Sequence, residues 1–320
     1  MDAFLEANKW LERADHLLVI AHVSPDGDAI SSTLAMGEML KQLGKSYTLA
    51  NESPIPSKFS FLPGVDQIQL ADEIEKTFQY VIALDCGDQS RLGTGKDLLS
   101  DDAEILNIDH HHTNDRFGDV NLVDPHAAAT VQILYRWIVS HRLEWTSSLL
   151  MQIYTGLLTD TGGFRYANTS AEVLRQAADL IEAGVPAPQI ADVVLETVSI
   201  EQLQLLQIAL RTLTTSTDGL VAWMTLKLAD YEHLSTKTDA YDGIVNYARN
   251  IMGVDVGILY REVEGESVKV SLRSRAIVDV GQVAQDLGGG GHARAAGVTL
   301  SGSLAEVTKL VLSRIEAELE

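Results

Sequence analysis

Apolar residues in the first half of the chain fall into short β-branched runs separated by longer stretches of helical spacing, the alternation that βαβ units leave in a sequence. Three runs stand out, and a polar group follows each at once: Leu17-Leu18-Val19-Ile20-Ala21 leads to His22, Tyr80-Val81-Ile82-Ala83-Leu84 to Asp85, and Ile105-Leu106-Asn107-Ile108 to Asp109. Such runs predict buried parallel strands, hence an α/β domain with a doubly wound, mainly parallel sheet. Ligands of open α/β sheets bind outside the carboxyl ends of the strands, so the three runs deliver their polar groups to one place. Thr146 to Leu158 has helical spacing and leads directly into Thr159-Asp160-Thr161-Gly162-Gly163.

From Val185-Pro186-Ala187-Pro188 to about Ser216 the pattern changes to a helix-rich connector containing Ile200-Glu201-Gln202-Leu203-Gln204-Leu205-Leu206. We expect a first domain over 1–187, a helical linker over 188–216 and a smaller α+β domain over 217–320. In the last, Leu220 to Leu228 predicts a strand, Asp239 to Met252 a helix, and Val254 to Arg273 a hairpin turning at Glu264-Gly265-Glu266-Ser267. The run Gly288-Gly289-Gly290-Gly291 is too short for a flexible linker and is followed at once by His292 and Arg294.

Composition narrows the function. A chain of 320 residues with 46% hydrophobic positions can bury two cores. With 45 Asp+Glu against 24 Lys+Arg the formal charge is -21, which argues against long nucleic acid or an anionic membrane held by general attraction. An anionic substrate must be small and locally bound. The single cysteine, Cys86, excludes an internal disulfide, and no charged start followed by an apolar run marks a signal peptide. The apolar stretches are far shorter than the ~20 residues of a membrane helix, so a soluble, cytoplasmic protein is expected.

The densest chemistry lies in His22-Val23-Ser24-Pro25-Asp26-Gly27-Asp28, one imidazole and two carboxylates on a turn before a helix that begins near Ala29. Helix capping explains one of these Asp residues, but not His22 and two Asp together. Asp109-His110-His111-His112 sets imidazoles beside a carboxylate at another strand end, a pairing suited to metal ligation. Together His22, Asp26, Asp28, Asp85, His110 and Asp160 offer two imidazoles and four carboxylates, too acidic for one structural zinc and suited to two divalent ions with a bridging carboxylate. Mixed nitrogen and oxygen donors favour Mn²⁺, with Mg²⁺ or Co²⁺ as the alternatives. Cys86 reads as a buried small residue, not as a ligand. In the second domain Gly290 and Gly291 let backbone amides approach an anion, with His292 and Arg294 as donors. Arg273-Ser274-Arg275, and Arg165 after the Asp160 turn, are further compact cationic candidates.

The ordered set His22-x-x-x-Asp26-x-Asp28, Asp85, Asp109-His110-His111 and Asp160 resembles the motifs of the DHH phosphoesterases, and Gly288 to Gly297 resembles the glycine-rich signature of the DHH-associated C-terminal domain. Length and both domains are most similar to the bacterial nano-RNase and pAp-phosphatase group. Ile30-Ser31 stands where Leu-Gly is more usual, a change expected to alter helix packing and not ligation. The resemblance implies an active site in a cleft between the domains. His22 and Asp26 would hold one ion, Asp28, His110 and Asp160 the other, and Asp85 both. It also implies Asp109 behind His110, His111 on the scissile phosphate, and Arg273 with Ser274 among the substrate contacts. The implied substrates are short RNA or DNA oligonucleotides, the bisphosphate pAp and linear pApA, and a homodimer is compatible with the group.

Three rivals share part of this pattern. A family II inorganic pyrophosphatase has the metal motifs but a Lys/Arg-rich C-terminal domain that is absent here. A single-strand exonuclease of the RecJ type has both domains but more sequence for holding long strands. A nucleotide-sensing binding protein would need no six ligands at four separated places, and no G-x-G-x-x-G follows the first strand to mark a dinucleotide binder.

Overall fold

A computed structural model describes residues 3–234, 238–241 and 243–319, which divide into two compact units, Met1–Thr197 and Val198–Glu320. In the first unit β1 (Leu17–Ala21), β2 (Tyr47–Asn51), β3 (Ile68–Leu70), β4 (Phe78–Leu84), β5 (Leu99–Asp109) and β6 (Val120–Val123) form one sheet in the order β3-β2-β1-β4-β5-β6. All of its pairings are parallel. The winding reverses between β1 and β4, so the segments leaving these neighbouring strands part and open a crevice at their carboxyl ends.

Both faces of the sheet are buried, which is why its central strands read as unbroken apolar runs. Leu17 and Val19 of β1 and Ile82 and Leu84 of β4 join a core with the helices α1 (Ala3–Arg13), α2 (Gly27–Gln42), α3 (Thr130–His141), α4 (Ser147–Asp160), α5 (Ala171–Glu182) and α6 (Ala187–Ala191). The alternate residues Leu18, Ile20, Val81 and Ala83 pack on the other face with Cys86, Leu92 and Leu98. Two glycines let α2, α3 and α4 converge at the crevice. A Cβ on Gly27 would lie 2.6 Å from Thr159 Oγ1, and one on Gly156 would lie 2.6 Å from Val131 Cγ2.

The second unit begins with α7 (Ile200–Arg211) and is built on a sheet of order β11-β12-β10-β9-β8-β7, whose strands are β7 (Thr214–Thr215), β8 (Val221–Leu226), β9 (Val256–Val263), β10 (Ser267–Ser274), β11 (Gly290–His292) and β12 (Ala295–Ser301). Its β8–β9 pairing is parallel and the rest antiparallel. The helices α8 (Leu228–Tyr231), α9 (Ile244–Arg249), α10 (Val280–Asp286) and α11 (Leu304–Leu319) complete it. One face packs Ile258, Tyr260 and Leu272 against α10 and α11, and the other packs Met224 and Leu226 against α7 and α9.

The differences from expectation are local. Within 188–216, α7 buries Leu205 and Ala209 in the second unit's core, while α6 buries Ile190 in the first. The helix expected over Asp239–Met252 is divided between a 3-10 turn, Thr238–Tyr241, and α9, and Asp242 lies outside the described residues. The glycine run is not simply a loop: β11 pairs with β12 across a two-residue turn, and a Cβ on Gly291 would meet Ala296 Cα at 2.5 Å. Among the described residues no single helix is long and apolar enough to cross a membrane.

Candidate active site

His22 follows β1 directly and is buried. Its Nδ1 lies 2.8 Å from the Val23 carbonyl, which only accepts, so a ring that ligates through Nε2 carries its proton on Nδ1 and donates it there. That nitrogen faces Asp85 Oδ2 at 3.5 Å and Asp26 Oδ1 at 4.0 Å. Asp26 caps α2, Oδ1 accepting from the Asp28 and Ala29 amides at 3.1 Å each, while its side chain stays 59% exposed. Capping and proximity to His22 therefore coexist in one carboxylate.

Asp85 closes β4 with φ 55°, a left-handed conformation that Asp tolerates better than most residues. The bend turns a buried carboxylate toward both imidazoles: Oδ2 lies 3.5 Å from His22 Nε2 and Oδ1 3.4 Å from His110 Nε2. Burial acts to raise the pKa of Asp85, but His110 and His22 hold it well below the usual carboxylate range. His110 orients as His22 does, Nδ1 donating to the Ala127 carbonyl at 3.3 Å and Nε2 lying 3.2 Å from Asp160 Oδ2 and 3.9 Å from Asp28 Oδ2.

Asp28 is fully buried and clamped by the first turn of α3, accepting from the Thr130 amide at 2.5 Å and the Val131 amide at 3.1 Å. Thr130 Oγ1 also donates to Asp85 Oδ1 at 3.0 Å, so the positive end of α3 supports two of the carboxylates. Even so, burial and then the charges of Asp85 and Asp160 push Asp28 well above its ordinary value. Asp160 ends α4, where the helix dipole disfavours an anion, and burial with the nearby Asp26 and Asp85 pushes it up to about 6 against the opposing pull of His110. Carboxylates crowded in this way call for cations.

His22–Asp26–Asp85 and Asp28–His110–Asp160 each have ligand atoms within 4.8 Å of one another, as do Asp85, Asp109 and His111, and Asp85 reaches toward both the His22 and the His110 imidazole. The donors are imidazole and carboxylate only. Cys86 is buried, its thiol donates to the Asp88 carbonyl at 3.1 Å, and burial pushes its pKa up. The set fits divalent ions. Asp109, expected behind His110, instead pairs with His111 Nδ1 at 2.7 Å, because residues two apart at a strand end share a side. Asn114 donates to the other Asp109 oxygen at 2.6 Å. Burial works to raise Asp109, and the His111 contact holds it below the ordinary value.

Residues 16–159 match the model of the DHH family, N-terminal domain, and residues 218–320 that of the DHHA1 domain. The chain is 38% identical over 307 residues to the bifunctional oligoribonuclease and PAP phosphatase NrnA of Thermus thermophilus, covering 95% of this chain and 90% of that protein. The chain belongs to the DHH family. A relative of the same name from Bacillus subtilis is 26% identical over 89% of this chain and 90% of its own length. A crystal structure of an exopolyphosphatase-related protein from Bacteroides fragilis matches with a TM-score of 0.88 at 26% identity, covering 98% of this chain and 96% of that one.

Within this DHH chain His22, Asp26, Asp28, Asp85, Asp109, His110, His111 and Asp160 come together in the first unit. Arg165 is exposed on the turn after α4, with Nε donating to the Gly162 carbonyl at 2.5 Å. The second unit gathers its own group: in the register across β10, β12 and β11, Ala295 stands opposite both Arg273 and His292. Ser274 is buried and donates to the Ala293 carbonyl at 3.3 Å, and Arg294 Nη1 donates to the Val278 carbonyl at 2.7 Å. Gly289 and Gly291 serve close approach to β12, while Gly290 faces open space. Sequence reasoning missed Thr130, Asn114 and Arg91, which reach the site through tertiary contacts. Asn114, five residues beyond Asp109, carried the only local signal, a polar side chain within reach of a strand end.

Proposed function

We propose that the protein is a two-ion phosphoesterase that hydrolyses very short oligoribonucleotides and pAp, with pApA within the same chemistry. The observation that carries this reading is the Asp85 carboxylate, buried at the switch point with one oxygen toward each of two His/Asp clusters. Its substrates are those in the names of the Thermus thermophilus and Bacillus subtilis relatives. His22 and Asp26 would hold one ion, Asp28, His110 and Asp160 the other, and Asp85 would serve both. When bound, the ions activate water and neutralise charge on the phosphate oxygens. The two imidazoles favour Mn²⁺ over Mg²⁺.

The chain's own groups do the rest. Nδ1 protons on His22 and His110, donated to the Val23 and Ala127 carbonyls, keep both Nε2 lone pairs turned inward. Asp109, braced by Asn114, holds the His111 proton at Nδ1 and orients the ring, and His111 contacts the scissile phosphate. Arg273, Ser274, Gly290, Gly291, His292 and Arg294 recognise the rest of the substrate, aided by Arg165. Because these donors are few and the chain carries -21, affinity does not grow with each added phosphate. We place the protein in the cytoplasm.

The test is kcat/KM with Mn²⁺ on pAp and on RNAs of two, five, ten and twenty nucleotides, with EDTA and pyrophosphate as controls. Efficiency should peak at the shortest RNAs and vanish with EDTA. A steady rise with length would promote the long-strand exonuclease, and nucleotide binding without turnover would leave a sensor.

A further inference from the structure

We infer that Arg91 is a phosphate-binding residue of this site, gripping the substrate phosphate beside His22; this rests on the phosphoesterase reading above. Arg91 lies in the 3-10 segment that follows Asp85 and β4. Its carbonyl accepts from the Val23 amide at 2.8 Å and its amide donates to the Asp88 carbonyl at 3.2 Å, so its backbone is tied to the turn that carries His22. The next residue, Leu92, is fully buried and anchors the segment in the core. The guanidinium is half-buried, with Nη2 3.2 Å from His22 Nδ1.

That contact is what makes Arg91 unusual. A guanidinium only donates, and the ligating form of His22 carries its proton on the same Nδ1, which already donates to Val23. In that form two donors face each other and the guanidinium has nothing to give its hydrogens to. Among the described residues Arg91 forms no ion pair with a carboxylate, although the chain has 45 Asp and Glu. Three other arginines do pair with carboxylates, Arg13 with Glu104, Arg136 with Asp124 and Glu172, and Arg314 with Asp286. A half-buried arginine held at the rim of an acidic centre without an anion is arranged to receive one.

The charge count agrees. Four carboxylates, Asp26, Asp28, Asp85 and Asp160, cancel the charge of two divalent ions, so a phosphate entering the loaded centre brings negative charge that the ions and their ligands leave unbalanced. Arg165 sits exposed on a turn with Nε already given to Gly162, whereas Arg91 is fastened beside a ligand.

The experiment is calorimetric titration of inorganic phosphate into Mn²⁺-loaded wild type, Arg91→Lys and Arg91→Gln, with Mn²⁺ affinity measured on the same proteins and turnover of pAp and bis-p-nitrophenyl phosphate alongside. We expect phosphate Kd to rise about tenfold or more in Arg91→Gln and less in Arg91→Lys, which keeps the charge but loses the fork, with Mn²⁺ Kd within about threefold of wild type. Unchanged phosphate affinity in Arg91→Gln overturns the inference. So does a fall in Mn²⁺ affinity equal to that in phosphate affinity, which would make Arg91 a support for His22. Wild type that binds phosphate through Arg91 yet hydrolyses neither ester sinks the phosphoesterase reading and leaves Arg91 standing. Wild type that hydrolyses pAp beside an unimpaired Arg91→Gln does the reverse.

Discussion

Replacing Gly156 with alanine should separate the stability of the fold from the working of its centre. The new Cβ would lie 2.6 and 2.8 Å from the two Val131 methyls and 2.9 Å from Asp28 Oδ1, about 1 Å inside ordinary carbon contact. Neither neighbour yields easily. Val131 is β-branched and buried in α3, and Asp28 is clamped by the Thr130 and Val131 amides. Overpacking of this kind costs ~1–3 kcal/mol, and the better helix propensity of alanine returns ~1 kcal/mol. Net destabilisation should be at most ~2 kcal/mol, a Tm loss of a few degrees. The displacement falls on Asp28 and on the start of α3, and a shift of ~1 Å at a reacting centre can cost about a hundredfold in rate. We expect kcat/KM on pAp, at saturating Mn²⁺, to fall by about that factor while thermal unfolding stays cooperative. Activity within about twofold of wild type, with Tm lowered as expected, would refute the placement of Asp28 in the machinery.

Asp85→Asn keeps a residue that tolerates the left-handed bend but removes the charge shared by both clusters; kcat/KM should fall at least about a thousandfold (~4 kcal/mol), and retention of a tenth of wild-type turnover would end the bridging assignment. Ser31 Oγ is buried with no hydrogen-bond partner, so Ser31→Ala should stabilise the protein by ~1 kcal/mol, read as a Tm gain of a few degrees, and a loss of Tm would show a hidden partner. Asp255 accepts from the amides of Ala276, Ile277 and Val278 at 2.8 to 3.0 Å; burial works to raise its pKa but these amides hold it below the usual value. Its stabilisation is therefore complete above the ordinary carboxylate range and is lost as pH falls through the depressed value, so Asp255→Asn should reduce amide-exchange protection at 276–278 by ~2–3 kcal/mol near neutral pH and by much less in strong acid, a difference that a pH-independent effect would exclude.

Much of the first unit is legible in the sequence for one physical reason: β1, β4 and the end of β5 are buried on both faces, so each appears as an apolar run stopping at the residue that enters the crevice. The edge strands β3 and β6 are short and only partly buried and leave no such run. The metal-ligand candidates were legible because acidic and imidazole residues at strand ends have few other uses. Thr130 and Arg91 were not, since a threonine at a helix start and an arginine in a turn gain their meaning only from what packs against them. The pairing of Asp109 with His111 instead of His110 was open to reading from the two-residue period of a strand. β11 was hidden because glycines carry no hydropathy pattern, and only its register with β12 shows it to be a strand.

The claim that one carboxylate joins two ion sites is tested most directly by titrating Mn²⁺ into metal-free wild type while measuring ion occupancy and pAp hydrolysis on the same sample. Turnover should stay low through the first equivalent and rise with the second, and Asp85→Asn should lose the second step. Full turnover at one equivalent, or hydrolysis that persists in EDTA with no ion bound, would contradict it.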